Sequence, residues 1–260
     1  MALELIVRGG GGRPRVGVAL GGGGAWGFAH VALLQRLERE GIPIDLISGC
    51  SMGAAIGGVY AAGGMSALDA LVARRRQLLP RLLAGPRPLE RLLARLTGNR
   101  RLEELEIPFL PVSVDLRTGE EHVPQTGPVS EAISLASRLP PLWPALRQDG
   151  QVLVDGAVSS MVPVAAARAA GADIVIACNV IPPALPRLDT RWRQVLSSVY
   201  RMGFRFGESQ TAHADLAFQL GDATVWMTDF HKAPEIIARA HERLPTERLV
   251  VRPGRRRHFG

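Results

Sequence analysis

Two apolar segments that each end in a glycine-containing turn restrict the folds open to this chain most strongly. Residues 15–20 (RVGVAL) run into Gly21–Gly24, and residues 42–48 (IPIDLIS) run into the turn GCSMG at 49–53. Each turn is followed by a helical pattern, the first over residues 25–40. Strand, turn and helix repeated in this order favour parallel strand pairing and an α/β fold.

The same alternation continues along the chain. A small-residue helix is predicted over 52–64 after the second turn. Further strands are predicted over 108–116, 151–158 and 173–181, further helices over 129–139, 163–172 and 233–244, and a helix followed by a strand over 194–220. We therefore expect an α/β protein with a mainly parallel sheet.

Residues 66–101 differ from the rest because Leu and Arg alternate there at helical spacing. The pattern is interrupted at Pro80 and again at Pro86–Pro88. It predicts amphipathic helices with a solvated arginine face. The alternative is a basic, leucine-rich cap that touches anionic lipid.

Composition limits the class of protein. With 260 residues, of which 47% are hydrophobic, the chain can form one large domain, which we expect over 15–245. Residues 1–14, with Gly9–Gly12 as a linker, and the basic tail 246–260 are expected to lie outside it. No apolar run reaches the ~18–20 residues of a membrane span, and no signal-peptide pattern is present. A cytoplasmic protein is expected, with room for peripheral contact with the inner face of the membrane.

Charge narrows the expected partners. A net charge of +7 favours anionic partners, either nucleic acid or a lipid surface. No zinc finger, homeodomain or RNA-binding signature accompanies it, and only 5% of residues are aromatic, so specific nucleic-acid binding is not expected. Cys50 and Cys178 form neither a disulfide framework nor a metal set. No metal or cofactor is therefore expected, and the pattern leaves the oligomeric state open.

Ser51 has the sequence context of a nucleophile. It lies between Gly49 and Gly53, after a predicted strand and before a predicted helix. A sharp strand-to-helix turn needs small neighbours, and it exposes the serine hydroxyl at the amino end of the helix, where free N–H groups point. The turn around Ser51 is therefore predicted to be a nucleophile elbow, with an ordinary glycine-rich turn as the alternative.

The glycine run Gly21–Gly24 allows three interpretations. GGGAWG at 22–27 fits a dinucleotide-binding loop, but Asp45 lies inside the next strand segment rather than at its end. A Walker loop fails because no Gly-Lys-Ser/Thr follows. Adjacent parallel strands would bring this loop beside Ser51, which favours an oxyanion hole. Its predicted donors are the backbone amides of Gly22, Gly23, Gly24 and Ala25.

A serine nucleophile needs a base, and histidine is its usual partner. None of the six histidines, at 30, 122, 213, 231, 241 and 258, lies in a glycine-flanked loop after a strand. His213 and His231 follow Ser51 in the order of an α/β-hydrolase triad and remain the alternative. Asp155 ends an apolar strand and precedes a glycine, so a parallel sheet could bring it to the same edge as Ser51. A desolvated carboxylate with a raised pKa can serve as the base.

Together these segments resemble the patatin-like phospholipase family, above all its bacterial branch and the catalytic domain of neuropathy target esterase. The resemblance extends from Val16 to about Arg243 and rests on four ordered blocks. These blocks are GVALGGGGAWGFAHVALLQRLEREGIPIDLISGCSMGAAIGGVYAAG, IPFLPVSVDLRTGE, LVDGAVSSMVPVAAARAAGADIVIACNV and MTDFHKAPEIIARA. It implies a three-layer α/β/α fold and hydrolysis of lipid acyl esters, phospholipid or lysophospholipid, by a Ser-Asp dyad without histidine. Ser51 matches the family's nucleophile and Asp155 its dyad aspartate, while Gly22–Gly24 and the neighbouring amides match its oxyanion loop.

The chain departs from the family pattern at three places. Trp26 stands where the family usually carries Arg or Lys, so a cation near the oxyanion or a lipid phosphate is missing. Cys50 replaces Thr or another small residue, and Ser159-Ser160-Met161 replaces an Asn-rich stretch that could support Asp155. The departure at Trp26 motivates an alternative function, a weakened or inactive patatin-like module that binds lipid or protein.

Overall fold

The computed structural model describes residues 2–7, 13–140, 142–184 and 190–253. The predicted linker Gly9–Gly12 and the last residues of the basic tail lie outside these ranges. The strands are β1 (Ala2–Val7), β2 (Val16–Leu20), β3 (Leu46–Gly49), β4 (Phe109–Pro111), β5 (Ser113–Asp115), β6 (Glu121–His122), β7 (Leu146–Gln148), β8 (Gln151–Asp155), β9 (Ile174–Asn179), β10 (Leu216–Gln219) and β11 (Arg248–Pro253). The α-helices are α1 (Ala29–Arg39), α2 (Ser51–Ala73), α3 (Leu78–Ala84), α4 (Pro86–Leu96), α5 (Val129–Ala136), α6 (Val164–Ala169), α7 (Arg191–Thr211) and α8 (Ala233–Arg243).

A parallel five-stranded sheet in the order β10-β9-β2-β3-β4 forms the centre of the fold. Strands β2, β3 and β9 are buried throughout, as apolar strands covered on both faces should be. Helices pack on both sides, which gives three α/β/α layers and confirms the expected fold class. The carboxyl ends of β2 and β3 lie side by side, since Leu20 pairs with Gly49.

The predicted strand 108–116 is two strands in two different sheets. Its first part, β4, pairs in parallel with β3, and its second part, β5, belongs to an antiparallel sheet in the order β6-β5-β8-β7. Val112 lies at the change, and its amide donates to Gly49 O over 2.8 Å. One continuous apolar run therefore links the sheet that carries Ser51 to a second sheet.

Asp155 ends a strand of a different sheet from the one predicted. The sequence favoured a strand of the parallel sheet, but β8 is antiparallel to both β5 and β7. Asp155 pairs with Ser113, directly after the change of sheet at Val112. The prediction that Asp155 and Ser51 follow strands of the same parallel sheet is therefore wrong. The sequence of an apolar strand does not show which strand it pairs with.

Two element boundaries also differ from those predicted. Strand 42–48 is shorter and later, as β3 covers Leu46–Gly49. Helix α2 begins at Ser51 and continues past the predicted end to Ala73, with a break at Gly63 and Gly64. By length and composition α2 could cross a membrane, contrary to the expected absence of such a stretch, but most of it is buried inside the protein. It packs against β3, α4 and α5 as a core helix.

The leucine- and arginine-rich segment forms the amphipathic helices predicted for it. In α4 the leucines Leu89, Leu92, Leu93 and Leu96 are buried, while its arginines point outward. Gly85, with φ of 112°, separates α3 from α4, and Pro86 begins the new helix. Pro80 lies in the first turn of α3 and does not interrupt it.

Both chain ends contain a strand. β1 lies in the predicted segment 1–14 and β11 in the predicted tail 246–260, and the two pair in parallel as a separate two-stranded sheet. The domain limits 15–245 stay a prediction. The two segments expected outside these limits pair with each other through β1 and β11.

Candidate active site

Ser51 has the strained backbone of a nucleophile turn. β3 ends at Gly49, Cys50 is extended, and Ser51 begins α2 with φ of 52°. A positive φ is uncommon for a residue with a side chain, and it persists only where the surrounding structure enforces it. The serine is partly exposed. Its carbonyl accepts a hydrogen bond of 3.2 Å from the Ser137 hydroxyl.

The glycines beside Ser51 are required by close backbone contacts. A Cβ at Gly53 would collide with Leu20 O and would lie 2.7 Å from Gly21 O. A Cβ at Gly49 would lie 2.7 Å from the carbonyl carbon of Gly53. The first turn of α2 can therefore lie against the end of β2 only when both positions are glycine.

Asp155 is a fully buried carboxyl at the end of β8. Its Oδ1 accepts the Ala157 amide over 2.9 Å, and its Oδ2 has no hydrogen-bond partner within the described part of the chain. Burial raises the pKa of Asp155 to about 7, and the Ala157 amide and the Ser51 hydroxyl act in the opposite direction. The Ser51 hydroxyl thus lies close to the carboxyl, although the two form no hydrogen bond in the described structure.

The glycine loop lies between the serine turn and the loop after Asp155. A Cβ at Gly22 would be 3.1 Å from Ser51 Cβ and 3.2 Å from Ala157 Cβ, so a larger residue there would press on both sides of the site. The amide of Gly22 donates to Met161 O and that of Ala25 to Met227 O. Among the backbone hydrogen bonds of the described residues, none uses the amide of Gly23 or Gly24. These two of the four predicted donors therefore have no backbone partner in the described structure.

The amino end of α2 offers further donors. The first hydrogen bond of this helix runs from the Ala54 amide to Cys50 O, over 3.1 Å. The amides before it have no partner inside the helix. Among them is Met52, directly after the serine, a position that the sequence prediction did not include.

His30 holds the start of the glycine loop. The side chain is fully buried in α1, and its Nε2 lies 2.8 Å from Gly21 O. Since a carbonyl only accepts, Nε2 carries the proton. Burial lowers the pKa of His30 to about 4, so the ring is neutral at physiological pH. His30 therefore packs in the core and also holds the carbonyl of Gly21.

The loop after Asp155 is well supported, contrary to the expectation from its sequence. The Ser159 hydroxyl donates to Gly119 O over 2.8 Å, and the Ser160 hydroxyl donates to Glu121 Oε1 over 2.5 Å. Met161 O accepts both the Gly22 amide, at 3.0 Å, and the Cys50 thiol, at 3.3 Å. This carbonyl joins the glycine loop, the serine turn and the aspartate loop, and no sequence signal marked it.

A residue far along the chain completes that support. Gln210 of α7 donates from Nε2 to Ser159 O and accepts the Val162 amide at Oε1, both over 2.8 Å. A lone glutamine in a helical pattern gives no warning of this role, because its partners lie about fifty residues earlier.

Trp26 lies in the core beside the site. It is fully buried, and its indole N–H donates to Val225 O over 3.1 Å. Its ring stacks edge-on against Tyr200 and Trp226, with centroids at 5.4 and 6.4 Å. Trp26 therefore connects the glycine loop to α7 and to the loop 222–229.

The two alternative histidines lie elsewhere. His213 precedes β10 at the amino edge of the parallel sheet, opposite the edge that Ser51 follows. His231 is exposed, and its carbonyl accepts a hydrogen bond from Arg75. Among the described residues, neither histidine has a hydrogen bond to Ser51, whereas the Ser51 hydroxyl lies close enough to Asp155 to lower the pKa of this carboxyl. No three His, Cys, Asp or Glu side chains in the described ranges cluster as a metal site would require.

Comparison with known families identifies the family of this chain. The family model for patatin-like phospholipase matches residues 18–168, more than half of the chain. The chain therefore belongs to the patatin-like phospholipase family. The matched range contains the glycine loop, Ser51 and Asp155.

Curated relatives match 64% of this chain. A patatin-like phospholipase domain-containing protein of Caenorhabditis elegans is 36% identical over 184 residues, which cover 64% of this chain and 13% of that protein. An uncharacterized NTE family protein of Mycobacterium tuberculosis is 36% identical over 178 residues, covering 64% and 49%. Lysophospholipase NTE1 of Cryptococcus neoformans is 32% identical over 182 residues, covering 64% and 11%. The chain thus spans half or less of the length of these relatives.

Proposed function

We propose that this chain is a carboxylic ester hydrolase that cleaves lipid esters, phospholipid or lysophospholipid, with Ser51 as nucleophile and Asp155 as base. One observation carries the proposal. The serine turn and the loop after Asp155 meet at Gly22, where a Cβ would lie 3.1 Å from Ser51 Cβ and 3.2 Å from Ala157 Cβ, and the buried Asp155 carboxyl, whose pKa is raised to about 7, has no hydrogen-bond partner at Oδ2 in the described structure. A base of this pKa is partly deprotonated at neutral pH and can still take a proton. Membership of the family and the similarity to a lysophospholipase support the substrate class.

The first half of the reaction forms an acyl-enzyme. Ser51 Oγ attacks the acyl carbonyl carbon while its proton passes to Asp155 Oδ2. The negative charge that develops on the carbonyl oxygen is stabilised by the free amides of Gly23 and Gly24. The bond to the alcohol then breaks, and Asp155 returns the proton to the leaving oxygen.

The second half uses the same groups on water. Asp155 takes a proton from a water molecule as its oxygen attacks the acyl carbon. The fatty acid leaves when the bond to Ser51 Oγ breaks, and Asp155 gives its proton back to Ser51. One carboxyl thus serves as base and acid in turn, which requires a pKa near the working pH.

Hydrolysis of a medium-chain p-nitrophenyl ester tests this proposal. Ser51→Ala and Asp155→Asn should each reduce turnover to background, and a fluorophosphonate probe should label the wild type but not Ser51→Ala. Full turnover by Asp155→Asn would refute the dyad. Absence of probe labelling in the folded wild type would favour the inactive lipid- or protein-binding module.

The matched control separates the dyad from a histidine triad. His213→Gln and His231→Gln should keep wild-type turnover, singly and together. Loss of turnover in either folded variant would support the triad instead.

Contact with an anionic membrane surface is part of the same proposal. The net charge of +7 and a lipid substrate both favour it. The leucines of α4, which the sequence made candidates for this contact, are buried.

A further inference from the structure

The outer face of α7 carries an exposed apolar stripe. Its residues are Val195, Val199, Met202 and Phe206, with exposed fractions of 56%, 58%, 60% and 45%. The spacings of four, three and four residues place them along one side of a helix. Half of the large hydrophobic side chains that are exposed in the described structure belong to this stripe. Isolated apolar side chains on a surface are ordinary, but an aligned row of them marks an interaction surface.

In the described structure the stripe does not pack on the core, because α7 packs on the core through a different face. Gly203 lies so close to the core that a Cβ there would be 2.6 Å from Met161 Cε. Phe204 is buried, and Tyr200 stacks on Trp26. The helix is therefore fixed without the outer residues, which stay uncovered.

The charge of α7 indicates what covers the stripe. The described side chains of this helix include Arg191, Arg201 and Arg205 against a single acidic residue, Glu208. Arg205 pairs with Glu208 over 3.0 Å, and both side chains are exposed. An apolar row on a helix with excess arginine fits the interface of an anionic bilayer, in which apolar side chains enter the acyl boundary and cations meet phosphates.

The inner face of α7 connects this surface to the candidate site. Gln210 holds Ser159 O and the Val162 amide in the loop after Asp155. Tyr200 of the same helix packs edge-on against Trp26 of the glycine loop at 5.4 Å, and burial, followed by the charge of Asp155, raises the pKa of Tyr200. A membrane bound to the outer face would therefore lie one helix away from the aspartate loop.

We infer that the Val195–Phe206 stripe of α7 is the surface by which this chain docks on an anionic lipid bilayer. The inference names the surface for the membrane contact proposed above, but docking itself does not require hydrolysis. The leucine- and arginine-rich α3–α4 segment, where only Leu83 is a strongly exposed leucine among those described, is the competing surface.

Co-sedimentation with vesicles tests the inference. The probe is a vesicle of equal parts phosphatidylglycerol and phosphatidylcholine, compared with phosphatidylcholine alone. The wild type should bind the anionic vesicle more tightly, and higher salt should weaken this binding. Met202→Asp/Phe206→Asp should bind about tenfold more weakly, because it places two charges in the apolar boundary.

Two single variants serve as matched controls. Leu116→Asp changes a side chain of similar exposure, 52%, on a turn after β5, and Leu83→Asp changes one that is 64% exposed on α3. Both should bind within about twofold of the wild type. An equal loss in Leu83→Asp, or wild-type binding by the α7 variant, would overturn the inference.

Three further measurements keep the outcomes separate. Circular dichroism and thermal unfolding must show that the α7 variant is folded. Light scattering after size exclusion identifies a dimer: if the variant becomes monomeric while vesicle binding is unchanged, a second copy covers the stripe and the inference fails. Probe labelling and turnover of a soluble ester should be unchanged in the α7 variant.

Conversely, Ser51→Ala should bind vesicles like the wild type, so failure of hydrolysis would leave docking intact.

Discussion

The two halves of the candidate site are held by different means. The serine side, β3 and the first turn of α2, is fixed by contacts between backbones that only glycines at 49 and 53 allow. The aspartate side, β8 and residues 156–162, is fixed by side-chain hydrogen bonds from Ser159, Ser160 and Gln210. The first kind of support leaves a pattern in the local sequence, and the second depends on residues far away in the chain.

The largest expected effect is on the serine side. Gly53→Ala would place a Cβ against Leu20 O, which is backbone and cannot rotate away. We expect a loss of about 3 kcal/mol or more in the free energy of unfolding, measured by urea denaturation. As a control, Gly41→Asn should cost less than about 1 kcal/mol, because Gly41 has φ of 69° at a helix end with nothing within 4 Å of a Cβ. If Gly53→Ala and Gly41→Asn lowered the free energy of unfolding equally, close backbone contact would not be what fixes the serine side.

On the aspartate side, Asp155→Asn should stabilise the fold while it removes activity. The folded-state pKa of about 7 lies above the ordinary 3.8, so this group favours the folded state only while it is protonated, and its contribution falls as the pH rises from about 4 through about 7. Removal of the charge should therefore raise the free energy of unfolding at pH 8 by on the order of 2–4 kcal/mol, at about 1.4 per pKa unit. The gain should shrink toward pH 4, as thermal unfolding across pH can show.

A second carboxyl provides the control for sign. Asp115 of β5 accepts the amides of Val152 and Arg117, and these bonds lower its pKa. Asp115→Asn should therefore destabilise the protein at pH 8, and the loss should fade at low pH. If Asp155→Asn and Asp115→Asn both raised, or both lowered, the free energy of unfolding at pH 8, the opposite pKa shifts of the two carboxyls would be contradicted.

The pH dependence of hydrolysis follows from the same carboxyl. Asp155 must be deprotonated to accept the serine proton, so kcat/KM for a soluble ester should fall about tenfold per unit below pH 7 and level off above it. His30 should not contribute near neutrality, because its pKa is about 4. A profile without an inflection between about pH 6 and 8 would count against Asp155 as the base.

The smallest expected effect is at the residue that joins the two sides. The Cys50 thiol donates to Met161 O, and burial with the charge of Asp155 raises its pKa, so it stays a donor. Cys50→Ala should cost about 1 kcal/mol in the free energy of unfolding, and Cys50→Ser should recover part of it because its hydroxyl can donate to the same carbonyl. Equal stability of the two variants would show that this hydrogen bond contributes nothing measurable.

The sequence by itself determined much of this protein. The parallel α/β core, the turn at Ser51 and the position of the glycine loop follow from apolar periodicity and from glycines at positions where only glycine fits. The buried end of an apolar strand likewise marked Asp155. These are local signals, and the structure agrees with the predicted elements to within a few residues at most boundaries.

Only the tertiary structure decided how Asp155 reaches Ser51 and which helix face stays open. Strand pairing is a long-range contact, so an apolar run such as 108–116 does not reveal that it changes sheet at Val112. Periodicity likewise predicts an apolar face for a helix such as α4 but does not show what covers it. In α4 that face is buried in the core, whereas in α7 a different face packs and the apolar stripe remains exposed. The physical reason is that burial depends on the partner element, which a helix's own sequence does not contain.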